Sequence, residues 1–391
     1  MKTVAFSTLG CKVNQYDTDL MKSAFSDRGY SIVEPSGKAD IHIINTCTVT
    51  STAAKKSRQA AGRARKSNPQ SIVVLTGCLG QLEGDDVLAM TGADIVTGNA
   101  EKNGIVDIVE HFKGGPISAV ADIFECRDYD QKGISMQDSR TRMYIKVQDG
   151  CDNYCSYCTI PFARGRSRSR KPEDVFEEIR ILAAAGAREA VVTGIHLDSY
   201  GKDLGGVSLA DLLEGIDGIN GIERIRLGSL EPLFIDTEFA KRASRIKKLC
   251  PHFHLSLQSG CDETLKRMRR RYTTGMYMQA MDILKALIPG SSFTTDVIVG
   301  FPGETDEEFA ETEGFVSKID FLKVHVFRFS PRKGTAAFAM KGRVAPGTMN
   351  DRAGKIAHAA SVSRKRFLEN YVGRTVSVLV EQPSHDIPGA W

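Results

Sequence analysis

The chain has 391 residues, of which 41% are hydrophobic and 26% charged, and its formal net charge is +4. This length predicts two or three domains, each large enough for its own core. No apolar run approaches the roughly 20 residues that a membrane span needs, and the N-terminus lacks a signal-peptide pattern, so we expect a cytoplasmic protein. Nine cysteines in such a chain favour metal or redox chemistry over disulfides.

Residues 1–113 alternate short β-branched runs with helix-like stretches, which predicts βαβ units and a parallel, Rossmann-like sheet. Three of the runs lead directly to Cys11, Cys47 and Cys78, and a further strand is expected at residues 93–98. Because the carboxyl ends of parallel strands meet at one edge, we expect these three thiols to share a ligand site. Buried structural cysteines are the alternative, since free cysteine is among the most buried residue types.

Residues 114–140 lack strong periodicity and are predicted to form a linker. A second βα alternation occupies residues 141–370, and its six strand-like runs predict a partial (β/α)6 barrel of the TIM type. The predicted barrel strands are residues 142–148, 188–194, 222–228, 252–258, 292–300 and 321–327. Residues 371–391 look like the start of a small, truncated β domain. The predicted fold class is therefore α/β, with two parallel-strand domains.

A second group of cysteines, Cys151, Cys155 and Cys158, follows the first barrel strand in a C-x3-C-x2-C run. Three thiolates underfill a closed zinc site, which needs four ligands, although one of the eight histidines could supply the fourth. Three thiolates can also hold an iron–sulfur cube and leave its fourth iron open. Both triads have this count, so the sequence predicts two reactive clusters.

Basic residues are concentrated in four runs, residues 55–66, 164–171, 241–248 and 266–271. In a nearly neutral chain, such runs favour a polyanionic partner, with nucleic acid first. Solvated helix faces are the alternative interpretation of each run.

The compact triad, placed after the first strand of a six-unit barrel, resembles the radical S-adenosylmethionine (SAM) superfamily, and Tyr157 matches its usual aromatic residue. The resemblance implies a [4Fe–4S] cluster on Cys151, Cys155 and Cys158, whose open iron chelates SAM. One electron from that cluster then cleaves SAM to a 5′-deoxyadenosyl radical. The resemblance also implies that Tyr157 binds the cofactor, and that further SAM-pocket residues lie at other strand ends: Thr193, Gly194, Gln258, Gly300 and Glu304.

Several phrases together resemble the methylthiotransferases, namely LGCKVNQYDTD, NTCTVT, TGCLGQ, YIKVQDGCDNYCSYCTIPFARGRSRSR, LGSLEP, HLSLQSG and VGFPGET. This resemblance runs from residue 1 to about residue 370. It implies an auxiliary [4Fe–4S] cluster on Cys11, Cys47 and Cys78, and a C-terminal RNA-binding β domain called TRAM, of which only about the first strand is expected here. The phrase around Cys11 most resembles the branch acting on N6-threonylcarbamoyladenosine at position 37 of tRNA.

The implied reaction uses two SAM molecules, one to methylate a cluster-bound sulfur and one to generate the radical that removes hydrogen from adenine C2. The implied partners are tRNA, through its anticodon-loop adenosine, and a low-potential electron donor such as flavodoxin or ferredoxin. No phrase indicates the sulfur donor. The alternatives are isopentenyl-adenosine tRNA, a ribosomal protein, or a non-catalytic cluster-bearing RNA-binding protein.

The threonylcarbamoyl group carries a carboxylate, so a cation at the barrel mouth is expected to bind it. The candidates are the arginines of RGRSRSR, Arg164 to Arg170, and Arg332 in FSPRKGT. The remaining cysteines, Cys126, Cys250 and Cys261, are predicted to be small buried hydrophobic residues.

Overall fold

The computed structural model describes residues 1–129, 133–134 and 141–381. Its N-terminal domain contains a parallel sheet with the strand order β2-β1-β3-β4-β5-β6. In chain order, the elements of this domain are β1 (Thr3–Thr8), α1 (Lys12–Asp27), β2 (Ser31–Val33), β3 (Ile41–Thr46), α2 (Ser51–Ser67), β4 (Ile72–Gly77), α3 (Cys78–Thr91), β5 (Ile95–Thr97), α4 (Ile105–Glu110) and β6 (Ile117–Ala119).

The sheet is covered on both faces, which explains why its central strands consist almost entirely of apolar and β-branched residues. On one face, Phe6 and Ile43 pack against Phe25 of α1 and Ile105 of α4. On the other face, strand side chains such as Leu75 pack against the alanine-rich side of α2 and against α3. The predicted α/β arrangement of this domain is confirmed.

Residues 117–119 fall within the segment predicted to be a linker, but they form β6 and pair with β5. A three-residue edge strand bonds to only one neighbour and is largely exposed, so it needs no hydrophobic alternation that the sequence could reveal. The other parts of that linker prediction at residues 130–132 and 135–140 lie outside the described residues.

The second domain carries the expected six parallel barrel strands. In chain order, its elements are β7 (Arg142–Lys146), β8 (Gln148–Asp149), α5 (Ile160–Arg164), β9 (Arg168–Ser169), α6 (Pro172–Ala184), β10 (Glu189–Thr193), α7 (Leu209–Asp217), β11 (Arg224–Leu227), β12 (Ser229–Leu230), α8 (Thr237–Ala243), β13 (His252–Leu255), α9 (Asp262–Arg267), α10 (Thr274–Leu287), β14 (Ser292–Val299), α11 (Asp306–Lys318), β15 (Lys323–Arg328) and α12 (Pro346–Glu369).

The barrel strands pair in the order β7-β10-β11 and β12-β13-β14-β15, and β11 continues into β12 through Gly228. The structure therefore confirms the predicted partial barrel. Helices cover the outer face of the barrel, and α12 packs Ile356, Ala359 and Ala360 into the barrel's hydrophobic core. None of the helices in the described ranges is long and apolar enough to cross a membrane.

The predicted strand near the C-terminus is absent from its described part. Residues 371–381 contain no strand, although Val376, Val378 and Val380 alternate as a strand would and remain exposed. A single strand has no ladder of its own, and the described residues provide no partner for it. Residues 382–391 lie outside the described ranges.

Candidate active site

The dispersed cysteines all lie at carboxyl ends of adjacent strands. Cys11 directly precedes α1, Cys47 directly follows β3, and Cys78 is the first residue of α3. Burial, with smaller contributions from the neighbouring thiols of Cys78 and Cys11, raises the pKa of Cys47 to about 11. The structure thus brings together the three thiols that the sequence placed at one edge, and their binding of a cluster stays a prediction.

Two glycines allow the backbone to close around this site. Gly10 has a φ of +106°, and a Cβ atom there would lie 2.9 Å from the Sγ atom of Cys47. Gly77 has a φ of +94°, and a Cβ atom there would lie 2.5 Å from Oδ1 of Asn45. Any other residue would therefore push the strand-end loops apart.

Two buried asparagines connect these loops. Asn14 donates from Nδ2 to the carbonyl oxygens of Leu9 and Thr46, at 2.7 and 2.9 Å, and so secures the segments before Cys11 and Cys47. Asn99 places its Nδ2 atom 3.7 Å from Sγ of Cys78. An amide donor facing a sulfur stabilises negative charge there, which suits a thiolate that ligates iron.

A buried group of five charged residues, which we call the interdomain charge network, lies behind the dispersed triad. Its members are Asp17 and Lys102 of the N-terminal domain and Lys146, Asp149 and Arg164 of the barrel, all with side chains at most 8% exposed. The nitrogen–oxygen distances are 2.7 Å for Lys102–Asp17, 2.8 Å for Lys146–Asp17, 2.6 Å for Lys146–Asp149 and 3.0 Å for both contacts of Arg164 with Asp17 and Asp149.

These ion pairs join the two domains. Burial alone would raise the pKa of Asp17, but Lys102, Lys146 and Arg164 outweigh it and hold this pKa well below its usual range. Asp17 is therefore a charged carboxylate in the domain interface. Burial alone would lower the pKa of Arg164, but Asp149, Cys78, Asp17 and Cys11 outweigh it and hold this pKa well above its usual value. Arg164 is therefore linked electrostatically to the dispersed triad.

The compact triad lies on the loop between β8 and α5. Backbone hydrogen bonds fix this loop: the amide of Ser156 donates to the carbonyl of Met268 at 3.0 Å, and its carbonyl accepts from Ala337 at 2.7 Å. Burial raises the pKa values of Cys151 and Cys158 to about 12. An all-thiol donor set of this kind fits iron–sulfur ligation. Binding of a cluster must displace the thiol protons.

A charged cluster that the sequence analysis did not predict lies beside this loop. Nε2 of His196 is 3.6 Å from Asp198 and 3.9 Å from Glu231, and Asn153 donates to Glu231 at 2.9 Å. Arg270 completes the group, at 2.8 Å from Glu231 and 3.1 Å from Sγ of Cys155. Burial raises the pKa of Asp198 to about 8, with Glu231 adding to the effect.

The sequence did contain a signal for this cluster. His196 and Asp198 follow β10, and Glu231 follows β12, so all three residues occupy strand ends of the barrel. Oδ1 of Asp198 is buried without a hydrogen-bond partner, which marks a site for a donor or a cation.

A cavity of about 190 Å³ lies between the two domains. It is lined by Val49 and Thr50 of the N-terminal domain and by Tyr157, Gln258, Asp296, Ile298, Phe327, Arg328, Phe329 and Ser330 of the barrel. Thr50 lies shortly after Cys47 and Tyr157 directly precedes Cys158, so the cavity is lined by a residue close in sequence to each triad.

Two of the predicted SAM-pocket residues, Tyr157 and Gln258, line this cavity, and Gln258 has a φ of +67°. Thr193 ends β10 with Gly194 next to it, where a Cβ atom would lie 2.9 Å from Oε1 of Gln148. Gly194 thus makes room for Gln148, which accepts a 2.7 Å hydrogen bond from the amide of His196. Thr193 and Gly194 therefore shape the loop that carries His196 and Asp198.

The two remaining predicted pocket residues, Gly300 and Glu304, are not among the residues that line the cavity. A Cβ atom on Gly300 would lie 2.2 Å from Met349, so the backbone of Gly300 packs closely against α12. The carboxylate of Glu304 accepts from the amide of Gly300 at 2.7 Å and from Arg352 at 2.6 Å. Both residues close the β14–α11 turn against α12.

The structure corrects the interpretation of the run at residues 164–171. Arg164 and Arg168 are buried, and Arg170 is buried against Glu178, so these three cations are already neutralised inside the protein. Only Arg166 of that group of arginines is exposed. A count of basic residues cannot distinguish an internal ion pair from a surface charge.

Arg332 also has protein partners: it donates to Thr48 and lies 3.2 Å from Glu83. Arg328 is instead exposed and lines the cavity, where it also donates to Asn350. The prediction for the other cysteines holds for Cys250 and Cys261, which are buried, whereas Cys126 is only partly buried.

Comparison with known proteins agrees with this architecture. Residues 145–316 match the radical SAM superfamily, and residues 3–98 match uncharacterized protein family UPF0004. The chain is 39% identical to threonylcarbamoyladenosine tRNA methylthiotransferase MtaB of Bacillus subtilis, over 98% of this chain and 85% of that protein. The Thermotoga maritima protein of the same name is 41% identical, over 97% of this chain and 87% of that protein.

The chain belongs to the radical SAM methylthiotransferase family. Its membership confirms the predicted enzyme class and the predicted cofactors, [4Fe–4S] clusters and SAM. A tRNA-2-methylthio-N(6)-dimethylallyladenosine synthase of Desulfosudis oleivorans is also similar, at 34% identity over 98% of this chain and 84% of that protein. Among solved structures, the radical SAM methyltransferase TsrM of Kitasatospora setae shares the fold, with a TM-score of 0.65 at 16% identity over 86% of this chain and 77% of that chain.

Proposed function

We propose that this radical SAM methylthiotransferase modifies C2 of the adenine in N6-threonylcarbamoyladenosine at position 37 of tRNA. The observation that carries the proposal is a cavity lined from both domains by residues that neighbour each cysteine triad in sequence. Methylthiolation needs a radical source and a sulfur source within reach of one carbon atom. A cavity lined by residues next to both triads supports such a reaction, whereas separate sites would not.

The chemistry of the substrate explains why the reaction would need two clusters. Adenine C2 carries an unactivated aromatic C–H bond, which has no acid–base route at neutral pH. When bound, the clusters and SAM supply the radical and the sulfur. The protein has to bind, orient and shield the reacting groups.

We assign these tasks to specific residues. The side chains of Asp198 and Glu231, with His196 beside them, would hold the cationic part of SAM next to the compact triad. Tyr157 and Gln258 would orient the cofactor from the cavity wall. Phe329 of the cavity wall packs edge to face on Phe301, with ring centroids 5.4 Å apart, and this pair would exclude water from that side.

The relatives named for threonylcarbamoyladenosine are more similar to this chain than the one named for dimethylallyladenosine, at 39–41% against 34% identity. The two substrates differ in charge, since only the threonylcarbamoyl group has a carboxylate. Arg328 is the exposed cation in the cavity wall and could bind that carboxylate. Only the threonylcarbamoyl substrate would gain a charge-assisted hydrogen bond from this arginine, which would favour it over an uncharged substituent.

We further propose that the enzyme works on cytoplasmic tRNA and receives electrons from a low-potential donor such as flavodoxin or ferredoxin. The alternative substrates, isopentenyl-adenosine tRNA and a ribosomal protein, use the same chemistry and are separated from this proposal by assay.

The test is an anaerobic assay with reconstituted enzyme and two defined tRNAs, one with N6-threonylcarbamoyladenosine and one with isopentenyl-adenosine at the same position. We expect methylthio product by nucleoside mass spectrometry from the first tRNA and almost none from the second. Comparable rates on both would contradict the substrate assignment and leave the methylthiotransferase class intact.

A matched pair of variants tests the role of Arg328. Arg328→Gln should raise KM for the threonylcarbamoyl substrate by roughly 10-fold or more, the effect of losing one charge-assisted hydrogen bond. Arg180→Gln, which removes an exposed cation from the outer helix α6, is the control and should leave KM unchanged. An unchanged KM in Arg328→Gln would exclude this arginine as the carboxylate partner.

A further inference from the structure

Two aromatic side chains are exposed together next to the compact triad. Tyr154 and Phe162 are 41% and 38% exposed, and their rings meet edge to face with centroids 5.9 Å apart at an angle of 76°. Aromatic rings paired in this way bury a large apolar area in most proteins. Here both rings remain open to solvent, which is a property of binding surfaces.

The position of the pair relates it to both triads. Tyr154 lies between Cys151 and Cys155, and Phe162 lies on α5, whose first amide, from Ile160, contacts Sγ of Cys158 at 3.4 Å. The next residue, Ala163, is connected to the dispersed triad through a hydrogen bond with Asn99. The carbonyl of Ala163 accepts a 2.7 Å hydrogen bond from Asn99, whose Nδ2 atom also faces Cys78.

The rings are also held in place. Arg164, two residues after Phe162, is fully buried in the interdomain charge network and anchors α5. Tyr154 has a φ of +48°, a conformation that is uncommon for a bulky residue. A platform held in this way loses little conformational entropy when a ligand binds.

We propose that Tyr154 and Phe162 form a stacking platform for a nucleobase adjacent to the target adenosine. This inference rests on the proposed function, because it takes a single-stranded RNA loop as the ligand. Loop bases that are unstacked from their neighbours bind proteins by stacking on aromatic side chains. The platform would hold a flanking base while the target base enters the cavity lined from both domains.

The surroundings of the pair favour RNA over a protein partner. Arg166 is exposed close behind Phe162 in the chain and offers a cation for the backbone phosphate. Two partly exposed rings are far too small for a stable protein interface, which buries about 800 Å² on each partner. Stacking needs only the ring faces.

The test measures binding of an anticodon stem–loop RNA by fluorescence anisotropy, with iron content checked for every variant. Phe162→Ala and Tyr154→Ala should each weaken binding by roughly 10- to 100-fold. Phe162→Tyr and Tyr154→Phe keep the rings and should restore binding. Met276→Ala removes an exposed apolar side chain from α10 on the outside of the barrel and is the matched control.

A second arm changes the RNA instead. An abasic site at the flanking nucleotide that stacks on the platform should weaken binding to the wild type by a similar factor, and Phe162→Ala should add little to that loss. If the two losses add fully, the base does not stack on the platform and the inference is wrong. Because Tyr154 lies between cluster ligands, a loss of iron in its variant leaves Phe162→Ala to decide.

The outcomes separate this inference from the proposed function. A wild-type enzyme that neither binds nor modifies the RNA would overturn the proposed function itself. A wild type that binds and modifies it, with alanine variants of full iron content that bind equally well, would overturn only the platform. A concentration-dependent dimer that the alanine variants abolish would show that the pair joins two copies of the chain, and would also overturn it.

Discussion

The two cysteine triads are built in contrasting ways. The compact triad lies on one loop, which is fixed by backbone hydrogen bonds within the barrel. The dispersed triad takes Cys11, Cys47 and Cys78 from three strand ends, and buried side chains from both domains lie behind it. The compact site therefore depends on a local loop conformation, whereas the dispersed site depends on the fold of a whole domain and on its docking.

Helix α5 connects the two constructions. It begins just after Cys158 and ends with Arg164, which reaches Asp17 of the N-terminal domain. A displacement of the N-terminal domain would therefore act on the loop of the compact triad. This contact holds the two sites in a fixed relative position. The variants described below alter the two triads, the interdomain charge network and the basic face of α2 in turn.

The largest effect is expected from the compact triad. Replacing Cys151, Cys155 and Cys158 by Ala should remove half of the about eight irons expected from two cubes and abolish reductive SAM cleavage. Iron analysis after anaerobic reconstitution and quantification of 5′-deoxyadenosine check this. Full iron retention in the triple variant would show that these thiols hold no cluster.

The dispersed triad should separate two activities. Ala at Cys11, Cys47 and Cys78 should leave reductive SAM cleavage but eliminate the methylthio product, since the thiols predicted to hold the radical cluster lie in the other domain. Parallel measurement of 5′-deoxyadenosine and of tRNA nucleosides distinguishes the two. A triple variant that still methylthiolates tRNA would exclude these thiols as the sulfur platform.

The interdomain charge network should respond strongly to the loss of one carboxylate. Asp17→Asn leaves three buried cations short of a counter-charge, and breaking a buried pair costs about 3–5 kcal/mol of the free energy of unfolding. Chemical denaturation of the metal-free protein measures the loss. Asp107→Asn, which breaks an exposed ion pair with Arg28, is the control and should have a much smaller effect.

The same network predicts an acid-sensitive stability. Positive neighbours outweigh burial and hold the pKa values of Asp17 and Asp149 below their unfolded value of about 3.9. Their contribution is therefore present above that unfolded pKa and is lost as the pH falls toward the folded pKa values. Unfolding free energies measured from pH 6 to pH 3 should fall less steeply for Asp17→Asn than for the wild type. Parallel curves would show that Asp17 does not contribute.

The sequence predicted the barrel and both triads because strand patterns and strand-end cysteines are local signals. It did not predict the interdomain charge network, since Asp17, Lys146 and Arg164 come from three separate elements that only domain docking brings together. The same reason explains the error at Arg164 and Arg170, which resembled surface cations. The edge strand at residues 117–119 was not predicted, because three largely exposed residues show no hydrophobic alternation.

The smallest effect concerns the basic face of α2. This helix begins at Ser51, which lines a wider part of the cavity mouth and bonds to Ser330, and its Lys55 and Lys56 are exposed. An RNA that enters the cavity would pass these lysines, so each should neutralise one phosphate. Lys55→Gln with Lys56→Gln should reduce the slope of log affinity against log salt by about 1.4, at about 0.7 per single-strand phosphate contact.

A control with the same change in charge makes this result specific. Arg245→Gln with Lys247→Gln removes two exposed cations just after α8, on the outside of the barrel, and should leave the slope unchanged. Equal changes in both double variants would indicate a general field effect instead of contacts on α2. An unchanged slope in the α2 variant would mean that its lysines form a solvated face, and that RNA approaches the cavity from the side of Tyr154 and Phe162.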